Sequence, residues 1–278
     1  MQAGQIEIQE FRPEHLDAAA GLSRQADWPH RKEDWAFVLS LSRGFVAVEN
    51  GRVVGTTMAT LFADACACIN MVIVDQSMRG HGLGRTLMNT ALEAAGPREC
   101  RLVATDEGRP LYEKMGFVAT GEVLQHHGHV APVDRPAGVE WADATIAAEL
   151  AALDRQAFGA DRTALFAELA RQGRFAVLRK DGAIAAFAGL RAFGRGEVAG
   201  PVVATDIEAA KAVLSFIFAE RTGAFLRVDT DAKTGLASWL AGHGLAHAGG
   251  GLPMRRGGGA PSAAAPMTTF ALTSQALG

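Results

Sequence analysis

The chain has 278 residues, of which 49% are hydrophobic and 21% charged, and its formal net charge is -3. The length favours about two domains, and the composition is typical of a soluble globular protein, which excludes a disordered or collagen-like chain. Neither half has the excess of basic residues that nucleic-acid binding requires, since 1–130 has 12 basic and 16 acidic residues and 131–278 has 15 and 14.

The first half is predicted to contain an antiparallel meander followed by a strand, a helix and a strand. Asn50-Gly51 lies between two apolar stretches and is a strong β-hairpin signal. Hydrophobic periodicity predicts helices over 12–23, 33–42, 85–95 and 110–115, and strands at 6–8, 45–49, 53–61, 66–74, 101–104 and from 117 onward. Together these elements predict an α+β fold, with a mixed, mostly antiparallel sheet flanked by helices.

A linker is predicted over 131–139, where two prolines and a glycine occur without helical periodicity. It separates a first domain, 1–130, from a second, 140–278. The second domain repeats the order of elements and so predicts an internal duplication. Its helices are predicted over 144–156, 163–172, 207–220 and 233–242, its strands over 175–179, 183–192, 200–204, 225–229, from 245 and over 268–272, and a loop over 257–266.

Cysteine usage and hydropathy exclude several other classes of protein. The chain start lacks a cationic segment followed by an apolar run, so no secretory signal is predicted. Apolar stretches such as 212–219 are far shorter than the roughly 20 residues that span a bilayer. We therefore expect a cytoplasmic protein without a membrane partner. Cys66, Cys68 and Cys100 lie on predicted strands, and we expect buried thiols rather than disulfides or a metal site.

A glycine-rich turn follows the apolar strand at 69–74. Its sequence is Arg79-Gly80-His81-Gly82-Leu83-Gly84, and a predicted helix comes directly after it. Such glycines let backbone amides approach an anion, and the positive end of the helix favours negative charge there. The dinucleotide fingerprint would need glycine at Arg85, and a P-loop would need Gly-Lys-Ser/Thr. An ordinary tight strand-to-helix turn is the alternative.

A second motif, Leu111-Tyr112-Glu113-Lys114-Met115-Gly116-Phe117, follows the glycine-rich turn. Together with Val72-Ile73-Val74 and the turn at 79–84, it resembles the signature of the GNAT superfamily of acetyl-CoA-dependent N-acetyltransferases. The resemblance covers most of 5–130 and depends on both motifs occurring together. It implies acetyl-CoA as co-substrate, no metal, and direct attack of a primary amine on the bound thioester in a ternary complex.

The resemblance also implies roles for individual residues. Val72 to Val74 would pair with the pantetheine arm like an added strand, and the Val72 amide would serve as oxyanion donor. Tyr112 would protonate the departing thiolate, with core packing of its ring as the alternative. Thr105 stands where the family often has an asparagine that contacts pantetheine. The amides expected to bind the coenzyme A pyrophosphate belong to Arg79, Gly80, His81, Gly82, Leu83 and Gly84.

The acceptor site is less well defined. Trp28 and Trp35 are candidates to wall an acceptor pocket, with core packing as the alternative. His30 and Asn70 are further candidates, because the first helices and the meander of this fold face the acceptor cleft. The net negative charge of 1–130 mildly favours a cationic acceptor. Candidate bases for deprotonating the amine are His30, Glu33, Asp34 and Asp64, each with a solvated surface position as the alternative. No carboxylate or cysteine at ligand spacing accompanies His126, His127 and His129, which are expected to form a polar strand end rather than a metal site.

The second half lacks the corresponding motifs. Aligning Gly244-Leu245 with Gly116-Phe117 places Leu240 opposite Tyr112. The turn after 200–204 has no glycines, and Asp206 would cap the following helix and repel a pyrophosphate. This half resembles the degenerate C-terminal domain of some bacterial tandem acetyltransferases. We expect it to buttress the first domain or close the acceptor site without binding coenzyme A.

The expected function is acetylation of a small-molecule amine. Acetylation of protein lysines or N-termini is an alternative, as is a non-catalytic acetyl-CoA-binding sensor or interaction protein, although a sensor would not need Tyr112. The expected partner is the amine acceptor, with no nucleic acid and no membrane, and the chain could form a homodimer.

Overall fold

The computed structural model describes residues 6–258 and 265–278. The predicted loop at 257–266 therefore lies largely outside the described residues. The strands form one continuous sheet in which most neighbours are antiparallel, and helices flank it. The predicted α+β fold class and the repeated order of elements are both confirmed. No helix among the described residues is long and apolar enough to cross a membrane.

The first half follows the predicted order closely. Its first helix begins at Leu16 because Pro13–His15 forms a separate 3-10 turn. The helices are α1 (Leu16–Gln25), α2 (Lys32–Leu39), α3 (Leu83–Ala95) and α4 (Arg109–Lys114). The strands are β1 (Ile6–Glu10), β2 (Ser42–Glu49), β3 (Arg52–Phe62), β4 (Cys66–Val74), β5 (Glu99–Ala104), β6 (Val118–Ala119) and β7 (Val123–His129).

The second half repeats this order after 130–138, a stretch without helix or strand. Its last helix begins at Ala237 rather than 233, because Asp231 caps a 3-10 turn over Ala232–Thr234 and Gly235 follows with a φ of +76°. The helices are α5 (Ala147–Phe158), α6 (Thr163–Gln172), α7 (Ile207–Glu220) and α8 (Ala237–Gly242). The strands are β8 (Val139–Trp141), β9 (Gly173–Lys180), β10 (Ala183–Phe193), β11 (Gly196–Ala204), β12 (Phe225–Asp231), β13 (Ala246–Arg256) and β14 (Thr268–Ala271).

The two halves exchange strands near the middle of the sheet. β7 of the first half pairs with β12 of the second, from Phe225 opposite His129 to Asp231 opposite Val123. In return, β13 of the second half pairs with β5 and β7 of the first. The described part of each half is therefore completed by a strand from the other, which fixes the position of the halves relative to each other.

A shared core reinforces this arrangement. Trp35 and Phe37 of α2 belong to the same buried cluster as Leu150 of α5 and Leu165 and Phe166 of α6. Burial of such side chains contributes roughly 1.5–3 kcal/mol each, so the interface between the halves is a hydrophobic core. The three cysteines are buried and free, as predicted.

Candidate active site

The sheet splits between β4 and β5. These parallel strands pair only where Cys66 to Cys68 lie opposite Glu99 to Arg101. On its other side β5 pairs with β13 from Cys100 to Ala104, and 69–74 of β4 has no strand partner on the side facing β5 within the described residues. The split exposes N–H and C=O groups along β4, an edge to which an extended ligand can add as a strand.

A β-bulge re-aims the backbone of β4 beside the split. Met71 has a φ of +51°, and the register with β3 shifts between the pairs Thr56–Ile73 and Met58–Asn70. The Thr56 hydroxyl donates to the Met71 carbonyl over 2.7 Å and holds the bulge. A positive φ is energetically costly for a residue other than glycine. Backbone strain of this kind clusters at functional sites. The bulge directs the 71–72 peptide away from regular pairing with β3.

The turn after β4 is built around Asp75 and two glycines. Hydrogen bonds from Ser77, together with the Arg52 guanidinium at 2.7 Å, lower the pKa of the Asp75 carboxyl although its burial acts in the opposite direction. Gly80 and Gly82 both have a φ of +82°, and Gly82 is the N-cap of α3. The first N–H groups of a helix have no partner within it, so this turn presents amides and a positive helix end to one location.

A cavity of about 740 Å³ lies between this turn and the split, and we call it the loop cavity. Of the residues predicted to bind coenzyme A, only His81 is absent from its wall, and the His81 side chain is exposed. Arg79 at its rim pairs with Glu107 at 3.3 Å. The predicted residues lining the cavity are Val72, Ile73, Val74, Arg79, Gly80, Gly82, Leu83, Gly84, Thr105 and Tyr112.

Tyr112 projects from α4 into the loop cavity while most of its ring is buried. Gly108 makes room for the ring, because a Cβ there would lie 2.8 Å from Tyr112 Cε2 and 3.1 Å from its hydroxyl. Burial raises the pKa of Tyr112 to about 12, so the phenol is protonated at neutral pH and can donate a hydrogen bond. Nearby, Thr105 Oγ1 accepts from the Gly108 N–H at 3.2 Å, which leaves its own hydroxyl proton free to donate.

Two further chambers share wall residues with the loop cavity. The inner chamber, of about 390 Å³, shares Asp27, Trp28 and Thr105 with the loop cavity. The outer chamber, of about 210 Å³, adjoins the inner chamber. The predicted acceptor-site residues Trp28, His30 and Asn70 line the inner chamber, whereas Trp35 packs in the buried core. The second half supplies part of the wall, with Phe193, Arg227, Ala248, Gly249, Gly250, Ser274, Gln275 and Ala276.

Asn70 and His30 connect the inner chamber to the second half. Asn70 Nδ2 donates to Thr60 Oγ1 and to the carbonyl of Ala276, both at 2.9 Å. The His30 ring packs edge-on against Phe193, with the ring centres 5.2 Å apart. Burial, and then the Arg227 charge, lower the pKa of His30 to about 4. His30 is therefore a neutral imidazole at physiological pH.

The other candidate bases lie outside the chamber walls. Asp34 accepts bonds from Arg31 and from the Gly194 N–H at 3.0 Å, and these lower the pKa of Asp34 even though burial opposes the charged form. Asp34 thus ties the two halves together. Asp64 is exposed and pairs with Arg98 at 3.0 Å, and Glu33 lines none of the three cavities.

Sequence reasoning missed Asp27, which lines all three cavities. It is exposed and has a φ of +56° just after α1 ends. Aspartate tolerates this backbone region better than most residues. A usable signal was therefore present in the sequence, namely an aspartate between a helix end and Trp28-Pro29.

The three neighbouring histidines of β7 occupy different environments. His127 lines the outer chamber, whereas His126 is buried with Nδ1 2.9 Å from the Leu245 carbonyl. His129 Nδ1 lies 2.9 Å from the Gly223 carbonyl. Across the parts of the chain that the structure describes, no group of three His, Cys, Asp or Glu residues could hold a metal ion.

The equivalent region of the second half is closed. β11 and β12 are parallel and pair only at Glu197–Leu226 and Val198–Arg227. Beyond these pairs, β14 hydrogen-bonds to both strands and occupies the split. In α8, fully buried Leu240 takes the position of Tyr112, since the Leu245 N–H donates to the Leu240 carbonyl as the Phe117 N–H does to that of Tyr112.

Comparisons with known proteins find related domains in both halves. A family model described as "Acetyltransferase (GNAT) family" matches residues 6–117, and one described as "Acetyltransferase (GNAT) domain" matches 150–266. An uncharacterized N-acetyltransferase of Bacillus subtilis, YitH, is 31% identical over 169 residues, which are 59% of this chain and 60% of that protein. The chain thus spans less than two thirds of this curated relative.

Solved structures share the fold across both halves. A putative acetyltransferase from Pyrococcus horikoshii superposes with a TM-score of 0.85 at 19% identity, over 100% of this chain and 97% of the other. A tandem GNAT protein from the clavulanic acid biosynthesis pathway gives a TM-score of 0.63 at 16% identity, over 93% of this chain and 100% of the other. At these identities the likeness extends to the fold alone.

Proposed function

The chain belongs to the GNAT acetyltransferase family, with one domain of that family matched in each half, and on this premise we propose that it is an N-acetyltransferase with a single active site. In this proposal, the first half binds acetyl-CoA in the loop cavity. A small-molecule primary amine enters through the inner chamber and accepts the acetyl group. The second half completes the acceptor site and binds no coenzyme.

The loop cavity suits acetyl-CoA in three respects. Amides of the turn at 79–84 and the N-terminus of α3 would bind the pyrophosphate, because both present unsatisfied N–H groups to an anion. The open edge of β4 from Val72 to Val74 would hydrogen-bond to the amides of the pantetheine arm. The glycines at 80 and 82 would let the backbone approach the phosphates, since nothing lies within 4 Å of their Cβ positions.

Acetyl-CoA supplies an activated acetyl group as a thioester. The Val72 amide, freed by the bulge at Met71, would donate to the carbonyl oxygen as negative charge develops there. The protonated Tyr112 would donate its hydroxyl proton toward the sulfur. The chambers would hold the amine in line with the carbonyl carbon, so that alignment contributes to the rate. Asp27 would stabilise the incoming ammonium electrostatically before its proton is lost to water.

The position and size of the acceptor route favour a small molecule over a protein. The inner chamber lies between the two halves and has a volume of about 390 Å³, within the range of small-molecule sites. A protein lysine would have to reach into this chamber, whose wall includes Phe193 and Arg227. The wall that the loop cavity and the inner chamber share, at Asp27, Trp28 and Thr105, is the single observation that carries the proposal.

The test combines calorimetric titration with a turnover assay on the full chain. Titration with acetyl-CoA should give one site per chain, and a panel of primary amines should include acceptors that release free coenzyme A thiol. Two equivalent sites would contradict the assignment of a non-binding second half. Tight acetyl-CoA binding without turnover of any amine, including peptide N-termini and lysines, would instead favour the sensor alternative.

A further inference from the structure

Charged side chains are distributed unevenly along the acceptor route. Asp27 lies at the junction of the loop cavity and both chambers. Arg227 lines the inner and outer chambers but not the loop cavity, and Arg195 lines only the outer chamber. The negative group is therefore nearest the predicted position of the thioester, and the positive groups are farther away.

Arg227 is a preorganised guanidinium. It is nine-tenths buried and forms a salt bridge with fully buried Asp229, using Nε at 2.9 Å and Nη2 at 2.9 Å. Its guanidinium carbon also lies 5.2 Å from the centre of the Phe193 ring. Among the described residues Nη1 makes no side-chain hydrogen bond or ion pair, and Arg227 lines both chambers. A planar guanidinium that is already oriented loses little entropy on binding a carboxylate.

Arg195 adds a second positive charge at the outer end of the route. Its side chain is exposed, and no carboxylate lies within 4 Å of it among the described residues. This charge acts on His127, whose pKa is lowered by burial and by the nearby Arg195 and Arg227. Burial and then Arg227 act in the same direction on the pKa of His30. The chambers thus present an anion-binding end and a neutral imidazole.

We propose that the acceptor is a primary amine that also carries a carboxylate, such as an amino acid. Its carboxylate would bind Arg227 Nη1 and Arg195, and its amine would lie beside Asp27 at the junction with the loop cavity. Arg195 and Arg227 both come from the second half, so that half would determine acceptor specificity. The proposal rests on the proposed acetyltransferase function. The net negative charge of 1–130 favours a cationic acceptor, whereas this proposal gives the acceptor a carboxylate. The two differ because both arginines at the site belong to the second half.

The experiment compares matched acceptors at saturating acetyl-CoA. Each set contains an amino acid, its carboxamide and its decarboxylated amine, for example leucine, leucinamide and isoamylamine, with similar sets for phenylalanine and lysine. Rates of thiol release are expressed per deprotonated amine, because the three compounds differ in amine pKa. For the preferred side chain, kcat/KM for the carboxylate should exceed that for the carboxamide by about tenfold or more, as expected for charge-assisted hydrogen bonds.

Two variants test which residues produce this preference. Arg195→Ala changes an exposed side chain, and the double variant Arg227→Gln with Asp229→Asn removes a buried pair without leaving an unpaired charge. Both should bring the carboxylate-to-carboxamide ratio toward one. Arg155→Ala, on the exposed face of α5 and outside the three cavities, is the matched control and should keep the ratio.

A binding measurement separates the two proposals. The N-acetylated form of the best amino acid should raise the melting temperature of the unaltered chain more than that of Arg195→Ala. Equal turnover of carboxylate, carboxamide and amine, with no such difference in melting temperature, would overturn the carboxylate assignment and leave the acetyltransferase function intact. Absence of turnover with every amine, despite acetyl-CoA binding, would contradict the proposed function itself.

Discussion

The two halves contain the same split between parallel strands, but only one split is open. In the first half β5 diverges from β4 after Arg101, and the loop cavity occupies the gap. In the second half β14 lies between β11 and β12, where Thr230 Oγ1 donates to the Phe270 carbonyl at 2.6 Å. The shared fold therefore leaves one strand edge open and closes the other. Under the proposed function, this difference decides which half binds a ligand.

The turns and short helices of the two halves differ in the same way as the splits: groups that face the cavity in the first half have internal partners in the second. Gly82 is the N-cap of α3 and has a positive φ and no side chain. Asp206 is the N-cap of α7, and its carboxylate accepts a hydrogen bond from the Ala209 N–H at 2.8 Å. The amide that would bind a phosphate in one half is satisfied by the chain itself in the other. Likewise Tyr112 lines a cavity, and Leu240 fills a core. At each of these positions, the second half makes an internal contact where the first half has a group at the cavity.

The largest effect should come from Gly82→Asp. The substitution puts a side chain at a φ of +82° and a negative charge among the amides expected to bind pyrophosphate. Calorimetric titration should then detect no acetyl-CoA binding. The matched control is Gly182→Asp, at a φ of +81° in the second half with equally open space, which should keep full affinity. Retained affinity in Gly82→Asp would contradict the assignment of the turn.

Tyr112→Phe should affect turnover rather than binding. Loss of the hydroxyl should lower kcat by about a thousandfold, in the range for removal of a general acid, while the acetyl-CoA Kd stays the same. Because burial raises the pKa of Tyr112 to about 12, the unaltered enzyme should show no loss of activity from tyrosine ionisation up to pH 9. The control, Trp239→Phe on α8 of the second half, should keep its turnover. An unchanged kcat in Tyr112→Phe would remove this residue from the mechanism.

The local features of this comparison could be predicted from the sequence. Periodicity placed every major helix, and Asn50-Gly51 marked its hairpin, because the signals lie within a few residues of one another. The glycines of 79–84 predicted a turn with positive φ, which Gly80 and Gly82 show. The role of Tyr112 came from the motif resemblance, and it stays a prediction.

The long-range pairings could not be predicted in the same way. β13 contains Gly249, Gly250 and Gly251 and lacks the alternation typical of a strand, so nothing local indicates that it pairs with β5. The position of β14 inside the split depends on Phe270 and Thr230, which are far apart in the sequence. Arg227 likewise reaches the acceptor route only through the pairing of β12 with β7. Such contacts depend on tertiary structure that propensity does not encode.

Phe270→Ala tests whether β14, by filling the gap between β11 and β12, prevents ligand binding in the second half. Phe270 is buried in the core of the second half, and truncation should lower the free energy of unfolding by about 3 kcal/mol. Urea denaturation measures this, with exposed Val118→Ala as the control that should change it little. Titration of the variant should still give one acetyl-CoA site, because the second half has no glycine turn. A second site would show that β14 alone had prevented acetyl-CoA from binding in the second half.

The smallest effect concerns His30, whose ring lies where the halves meet. Its pKa is about 4 in the folded chain, against an ordinary value of 6.5, so the unfolded chain binds the proton more readily and stability falls as pH drops below 6.5. Between pH 7 and pH 5 this should cost about 2 kcal/mol. Asp34, whose folded pKa is lowered from 3.8, contributes only below that window. In His30→Gln, the free energy of unfolding measured by urea denaturation should therefore fall less between pH 7 and pH 5. The control is His247→Gln, at an exposed position on β13, which should keep the pH dependence of the unaltered chain. Equal pH dependence in all three proteins would mean that His30 can be protonated in the folded chain, and that the inner chamber is more hydrated and less positive than the carboxylate proposal requires.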